Sequence, residues 1–283
     1  MNATPTPPPA APTSCRVITQ DGVELFYRDW GEGRPLLFLS GWTLSSDMWA
    51  YQMAPLSKQG FRCVAYDRRA HGRSADPGGG YAFDRLADDL LAVIETLDLQ
   101  GVTLVGHSFA SGEMVRFLSR HGAARIARVV FLSPAATPFL LKTADNPGGI
   151  DEFHVQHAQR AWLQSFPDWI EANAEPYFTP GTSRAIIEWT ARMMMQASLQ
   201  AALELSNIQL RTDFRAELAQ IKLPAMVIHG DRDASAPLEL TGRPTAASIE
   251  GANLKIYEGG PHGLYFTHKE RLNADLAQFA GGS

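Results

Sequence analysis

Two rhythms of apolar residues alternate along the chain. Short β-branched runs bounded by Gly, Pro or Asp read as strands, and longer stretches with a helical spacing of apolar positions read as amphipathic helices. Residues 15–19 and 23–30 are strand-like and are joined by Asp21-Gly22, a hairpin signal. Residues 35–39 and 61–66 are continuous apolar runs, the pattern of strands buried on both faces of a parallel sheet. Residues 83–97 place Leu86, Leu90, Val93, Ile94 and Leu97 on one helical face. A strand then climbs from Val102 to Gly106, a helix runs to about Arg120, and residues 126–132 form another strand.

Between 134 and 212 the strand signals stop. This stretch reads as helices carrying Trp162, Phe166, Trp169, Phe178, Trp189, Met193, Met194 and Met195. The alternation resumes after Leu223, with strands at 225–229 and 254–257, a helix at 238–249 and a closing amphipathic helix at 268–279. Strand–helix alternation broken by one helical block predicts an α/β fold with a mostly parallel central sheet, flanked by helices. The expected division is a core of residues 15–137 and 211–283, and a helical cap insertion of residues 138–210. Residues 1–14, rich in Pro, Ala and Thr, read as a disordered leader.

Composition narrows the picture. The 283 residues are 45% hydrophobic, enough for a sizeable core, and the formal net charge of −5 gives no polyanion-binding signal, so no nucleic-acid partner is expected. No run is long and apolar enough for a membrane span, and no basic-then-apolar leader marks a secretory signal. Cys15 and Cys63 match no metal spacing and read as free thiols in a reducing compartment, so a cytoplasmic location is expected. His154 and His157 share a helix face but have no acidic or cysteine ligand with them; neither a metal nor another cofactor is expected.

The chemistry centres on Val102-Thr103-Leu104-Val105-Gly106-His107-Ser108-Phe109-Ala110. A strand ends, a serine sits between small residues, and a helix begins at once. This is the pattern of a nucleophile elbow, whose tight turn lifts the serine hydroxyl above the sheet and tolerates only small side chains two residues to either side. Ser108 is therefore the candidate nucleophile. A serine hydroxyl needs a base, and the base needs an anionic partner. The segment Tyr257-Glu258-Gly259-Gly260-Pro261-His262 leaves the last strand with the candidate base, His262. His229-Gly230-Asp231-Arg232-Asp233 supplies two acids at the end of another strand, and Asp231 and Asp233 both qualify. Ser, acid and His thus follow in that order, each at the C-terminal end of a predicted parallel strand. Two backbone N–H donors are needed for an oxyanion: Phe109, after the nucleophile, and Trp42 in the Ser40-Gly41-Trp42 loop. The side chains of Trp42 and Phe109, with Trp162, Phe166 and Met193 from the helical block, are the candidate lining of an apolar substrate pocket.

Jointly, these motifs resemble the α/β-hydrolase superfamily and, within it, the cofactor-free (non-haem) haloperoxidase and aryl-esterase group. The resemblance rests on Ser40-Gly41-Trp42, Asp47-Met48-Trp49, Tyr66-Asp67-Arg68-Arg69, His71-Gly72-Arg73-Ser74, the elbow, His229-Gly230-Asp231-Arg232-Asp233 and Pro261-His262-Gly263. It implies an α/β-hydrolase fold and a Ser108–Asp233–His262 triad, choosing Asp233 over Asp231, with Trp42 as an oxyanion donor. It also implies hydrolysis of small aryl or alkyl esters and, in many members, perhydrolysis, in which hydrogen peroxide replaces water and yields a peracid. The chain departs from the group at Ser40, where histidine is usual, at Ala110, where glycine is usual, and at Thr43, where proline is common. Proline would fix that loop's φ and remove an N–H. The departures leave triad hydrolysis intact and weigh against perhydrolysis. The expected function is hydrolysis of a small or medium ester, lactones included, with perhydrolysis or ligand binding without catalysis as the alternatives. The expected partner is a small-molecule ester, with no membrane partner; assembly into a homo-oligomer is left open.

Overall fold

The computed structural model describes Cys15–Gly282, so the expected leader lies outside the described residues. Eight strands form one sheet: β1 (Arg16–Ile18), β2 (Glu24–Trp30), β3 (Arg34–Leu39), β4 (Phe61–Tyr66), β5 (Val102–His107), β6 (Ile126–Leu132), β7 (Ala225–Gly230) and β8 (Asn253–Tyr257). Their order across the sheet is β1-β2-β4-β3-β5-β6-β7-β8. The β1–β2 and β2–β4 pairs are antiparallel and all the others are parallel. The Asp21-Gly22 hairpin forms as expected, with Gly22 N–H donating to the Thr19 carbonyl at 2.9 Å.

Alternation along the strands sorts side chains into two cores. Leu37, Leu39, Val64, Leu104, Val129 and Phe131 face α2 (Phe83–Thr96) and α3 (Ala110–His121). Leu36, Phe38, Cys63, Val105, Val130 and Ile228 face α1 (Ala50–Leu56) and the C-terminal helix. Burial on both faces is why these strands read as unbroken apolar runs.

Between β6 and β7 the chain is helical: α4 (Glu152–Tyr177), α5 (Arg184–Met194), α6 (Leu199–Arg211) and the short α7 (Arg215–Leu218). α4 breaks at Ser165 (φ −161°, ψ 100°), where the Ser165 hydroxyl accepts a hydrogen bond from Asp168 N–H at 3.3 Å and so restarts the helix ahead of Pro167. Two helix boundaries differ from the expected ones. α8 covers Gly242–Ser248, because residues 237–241 are held as a turn by bonds from Leu240 and Thr241 N–H to the Pro237 carbonyl. The closing element divides into α9 (Leu264–Thr267) and α10 (Lys269–Gly281). Among the described residues no helix is long and apolar enough to cross a membrane, and Cys15 and Cys63 are free.

Candidate active site

The parallel strands deliver Ser108, Asp233 and His262 to the same edge of the sheet. Ser108 follows β5 with φ +56°, a left-handed conformation that a non-glycine residue adopts at a cost. The surroundings hold it there: Ser108 N–H donates to the Leu132 carbonyl at 2.9 Å, and the Ser108 carbonyl accepts the Ser111 hydroxyl at 2.7 Å. The elbow accepts Ala110 because Gly106 carries no side chain. A Cβ at Gly106 would lie 2.3 Å from Met114 Sδ and 3.3 Å from Ala110 Cβ.

The loops after β7 and β8 cross-link to each other, with Arg232 N–H donating to the Gly260 carbonyl at 3.0 Å. That link brings Asp233 against His262. His262 Nδ1 lies 2.7 Å from Asp233 Oδ2, and His262 Nε2 lies 2.8 Å from Ser108 Oγ. An ionised carboxylate only accepts, so the proton of neutral His262 sits on Nδ1 and leaves Nε2 to accept from the serine hydroxyl. Asp233 Oδ1 is held by Ser235 and Ala236 N–H at 3.0 and 2.7 Å. Burial works against the Asp233 charge, but His262 and His229 outweigh it and hold the carboxyl far below the usual carboxylate range. His229 Nε2 lies 3.3 Å from Asp233 Oδ2 and 2.8 Å from the Ala236 carbonyl. All three residues of the Ser–His–Asp relay are buried. Asp231 does other work: its Oδ1 accepts Gly259 N–H at 2.7 Å and secures the loop after β8.

Gly41 and Trp42 follow β3 and lie beside the elbow. A Cβ at Gly41 would sit 2.6 Å from His107 Nδ1, so only glycine allows this approach. Among the described residues, neither Trp42 N–H nor Phe109 N–H donates to a protein acceptor. The next residue, Thr43, has φ +59° and its hydroxyl donates to the Trp42 carbonyl at 2.7 Å. Proline cannot adopt that φ, so this loop has a shape unavailable to chains with proline there.

A cavity of about 400 Å³ opens from Ser108 and His262 towards the helical block. Trp42, Trp162, Trp169, Ile170 and Met194 supply its apolar wall, and among the described residues no Lys, Arg, Asp or Glu lines it. Trp42 and Trp162 both line it, with ring centroids 4.7 Å apart. Three expected lining residues do not. Phe109 stacks on Phe83 at 5.0 Å, fully buried behind the elbow. Phe166 sits behind the tryptophans, edge-on to Trp42 at 5.9 Å. Met193 turns into the core on the α1 side of the sheet, and Met194, about 100° further round α5, faces the cavity instead.

Further contacts brace the site. The Tyr177 ring packs edge-on against His262 at 5.3 Å. His107 Nε2 lies 3.1 Å from the His262 carbonyl, and burial lowers the His107 pKa to about 3, which keeps it neutral. Trp42 Nε1 donates to the Ala202 carbonyl at 3.0 Å and ties the loop after β3 to α6. Among the described residues no cluster of His, Cys, Asp or Glu has the arrangement of a metal site.

A model of the alpha/beta hydrolase fold matches residues 34–269. The chain is 38% identical to a non-heme chloroperoxidase of Kitasatospora aureofaciens, over 92% of this chain and 97% of that one. It is 35% identical to a bifunctional esterase/perhydrolase of Acinetobacter calcoaceticus, over 93% of this chain and 98% of its relative. The crystal structure of a bromoperoxidase from Bacillus anthracis superposes with a TM-score of 0.89 at 34% identity, covering 94% of this chain and 99% of the other.

Proposed function

The chain belongs to the alpha/beta hydrolase family, and from that membership we propose that it is a serine carboxylic-ester hydrolase acting on neutral, small to medium esters and lactones. One observation carries the reading: the unbroken chain from Ser108 Oγ through His262 to Asp233, at 2.8 and 2.7 Å, beside two unpaired backbone N–H groups.

The reaction runs in two halves. His262 Nε2 takes the Ser108 proton as Oγ bonds to the ester carbonyl carbon. The resulting oxyanion is held by Trp42 and Phe109 N–H. The imidazolium, steadied by Asp233, passes its proton to the leaving alkoxide oxygen as the C–O bond breaks, leaving an acyl-Ser108. Water, deprotonated by His262, attacks that acyl group; the acid departs and the proton returns to Ser108. The lack of Lys, Arg, Asp and Glu around the cavity, among the described residues, supports a neutral substrate, and its tryptophan wall supports an apolar acyl or aryl group. In this reading residues 138–210 cap the site on a core of residues 15–137 and 211–283, and the free thiols agree with a cytoplasmic location.

Ser108→Ala should lower kcat on p-nitrophenyl acetate by about 10⁶. Wild-type turnover in that variant would refute the assignment of Ser108.

The relatives' names favour a second reading, perhydrolysis at the same acyl-Ser108. The Thr43 backbone weighs against it, because its φ of +59° gives the loop a shape that a proline-bearing chain cannot take. Peroxide- and acetate-dependent bromination no faster than in Ser108→Ala would reject perhydrolysis and leave hydrolysis standing.

A further inference from the structure

The loop between β4 and α2 buries an arginine that is almost closed off from solvent and does not line the cavity. Arg68 is 3% exposed and its partner Glu113, in the first turn of α3, is 1% exposed. Arg68 Nε donates to Glu113 Oε1, and Nη2 donates to Oε2 at 3.1 Å. The guanidinium also donates to two main-chain carbonyls, Ser40 at 2.7 Å and Gly41 at 3.3 Å. Its Cζ lies over the Phe109 ring, 4.9 Å from the centroid. One buried cation thus touches the loop of Trp42, the side chain of Phe109 and the helix that starts at the elbow.

A buried ion pair is weak evidence for stability, since apolar substitutes of similar volume often serve as well. The neighbouring Arg69 shows the contrast: it joins Asp89 and Asp21 and touches none of the site residues. What sets Arg68 apart is its acceptor. The Gly41 carbonyl and the Trp42 N–H belong to one planar peptide unit, so a hydrogen bond at the carbonyl fixes where the N–H points. A cationic donor on that oxygen also draws charge along the amide and strengthens its N–H as a donor. Leu44 N–H donates to the same carbonyl at 3.2 Å and completes the restraint.

We propose that Arg68, charge-balanced by Glu113, is a positioning residue that orients and polarises the Gly41–Trp42 peptide for oxyanion binding. The proposal rests on the hydrolase reading above. It assigns Arg68 no contact with substrate.

The test compares wild type, R68K and the charge-neutral pair R68Q/E113Q. Each is assayed with p-nitrophenyl acetate and titrated with phenylboronate, which forms a tetrahedral anionic adduct with an active serine. Near-UV circular dichroism reports folding. The expected result for R68Q/E113Q is a fall of about 10²-fold in kcat with KM within about twofold, matched by a similar loss of phenylboronate affinity. R68K, which keeps the cation but loses the fork, should fall between this pair and wild type. Folded variants with wild-type kcat and phenylboronate affinity would overturn the proposal. If the double variant does not fold, R68K decides alone by the same criterion. A wild type that neither hydrolyses the ester nor binds phenylboronate would instead overturn the hydrolase reading itself.

Discussion

Replacing Asp233 by Asn changes one atom and should cost nearly all of the activity. The Asp233 Oδ1 position is fixed by two N–H donors, from Ser235 and Ala236, at 3.0 and 2.7 Å. The asparagine carbonyl oxygen must take that position, since an NH₂ there would face two donors. Its NH₂ then faces His262 Nδ1, which lies 2.7 Å from Oδ2 in the native site. A donor at that place makes Nδ1 the acceptor and moves the imidazole proton to Nε2. Protonated Nε2 cannot accept from Ser108 Oγ at 2.8 Å. The variant also lacks the anion that stabilises the imidazolium. A wrong tautomer in a serine triad costs about 10⁴ in kcat, or about 5.4 kcal/mol of transition-state stabilisation. The assay is steady-state hydrolysis of p-nitrophenyl acetate at pH 7.5, with urea unfolding to establish that the variant is folded. A folded Asp233→Asn enzyme within tenfold of wild type would refute the assignment of Asp233 as the partner of His262.

Three further outcomes are expected. His71 and His107 are buried and neutral, each with its pKa lowered to about 3, chiefly by desolvation. Between pH 6.5 and 3 the unfolded chain binds protons there that the folded chain does not, so stability is present above pH 6.5 and falls as pH drops. The slope is up to about 2.7 kcal/mol per pH unit for the two together, and equal urea-unfolding free energies at pH 7 and pH 5 would contradict this. Thr43→Pro should destabilise the fold by more than about 1 kcal/mol and lower kcat, because proline cannot hold φ +59°; an unchanged unfolding midpoint and kcat would show that the loop takes another shape. Among the described residues no Lys or Arg lines the cavity, so phenyl acetate should exceed a ring-carboxylated analogue at least about 10-fold in kcat/KM; equal values would mean that a cation reaches the site.

The fold and the Ser–His–Asp geometry were legible because both are written locally. Buried strands are short apolar runs, and the elbow squeezes strand, serine and helix into consecutive residues. The pocket was harder, because it depends on which way helices are turned. Three consecutive methionines gave no phase for α5, and only the packed structure turns Met194 rather than Met193 to the cavity. Phe109 was expected in the pocket because it follows the nucleophile, yet its side chain leaves the elbow backwards into a stack with Phe83. The residues that brace the site come from far along the chain: Tyr177 against His262, and Arg68 against Glu113, are pairs that no spacing rule connects. Two residues of turn separate Asp231 from Asp233 and send one carboxylate to Gly259 and the other to His262.

The central claim is that Ser108 carries the acyl group during turnover. Rapid acid quench of the enzyme with p-nitrophenyl butyrate, followed by peptide mass spectrometry, tests it directly. The expected result is a butyryl adduct on the peptide containing Ser108, formed within the first turnover and lacking in Ser108→Ala. Steady hydrolysis with no adduct, or with the adduct on another residue, would contradict it.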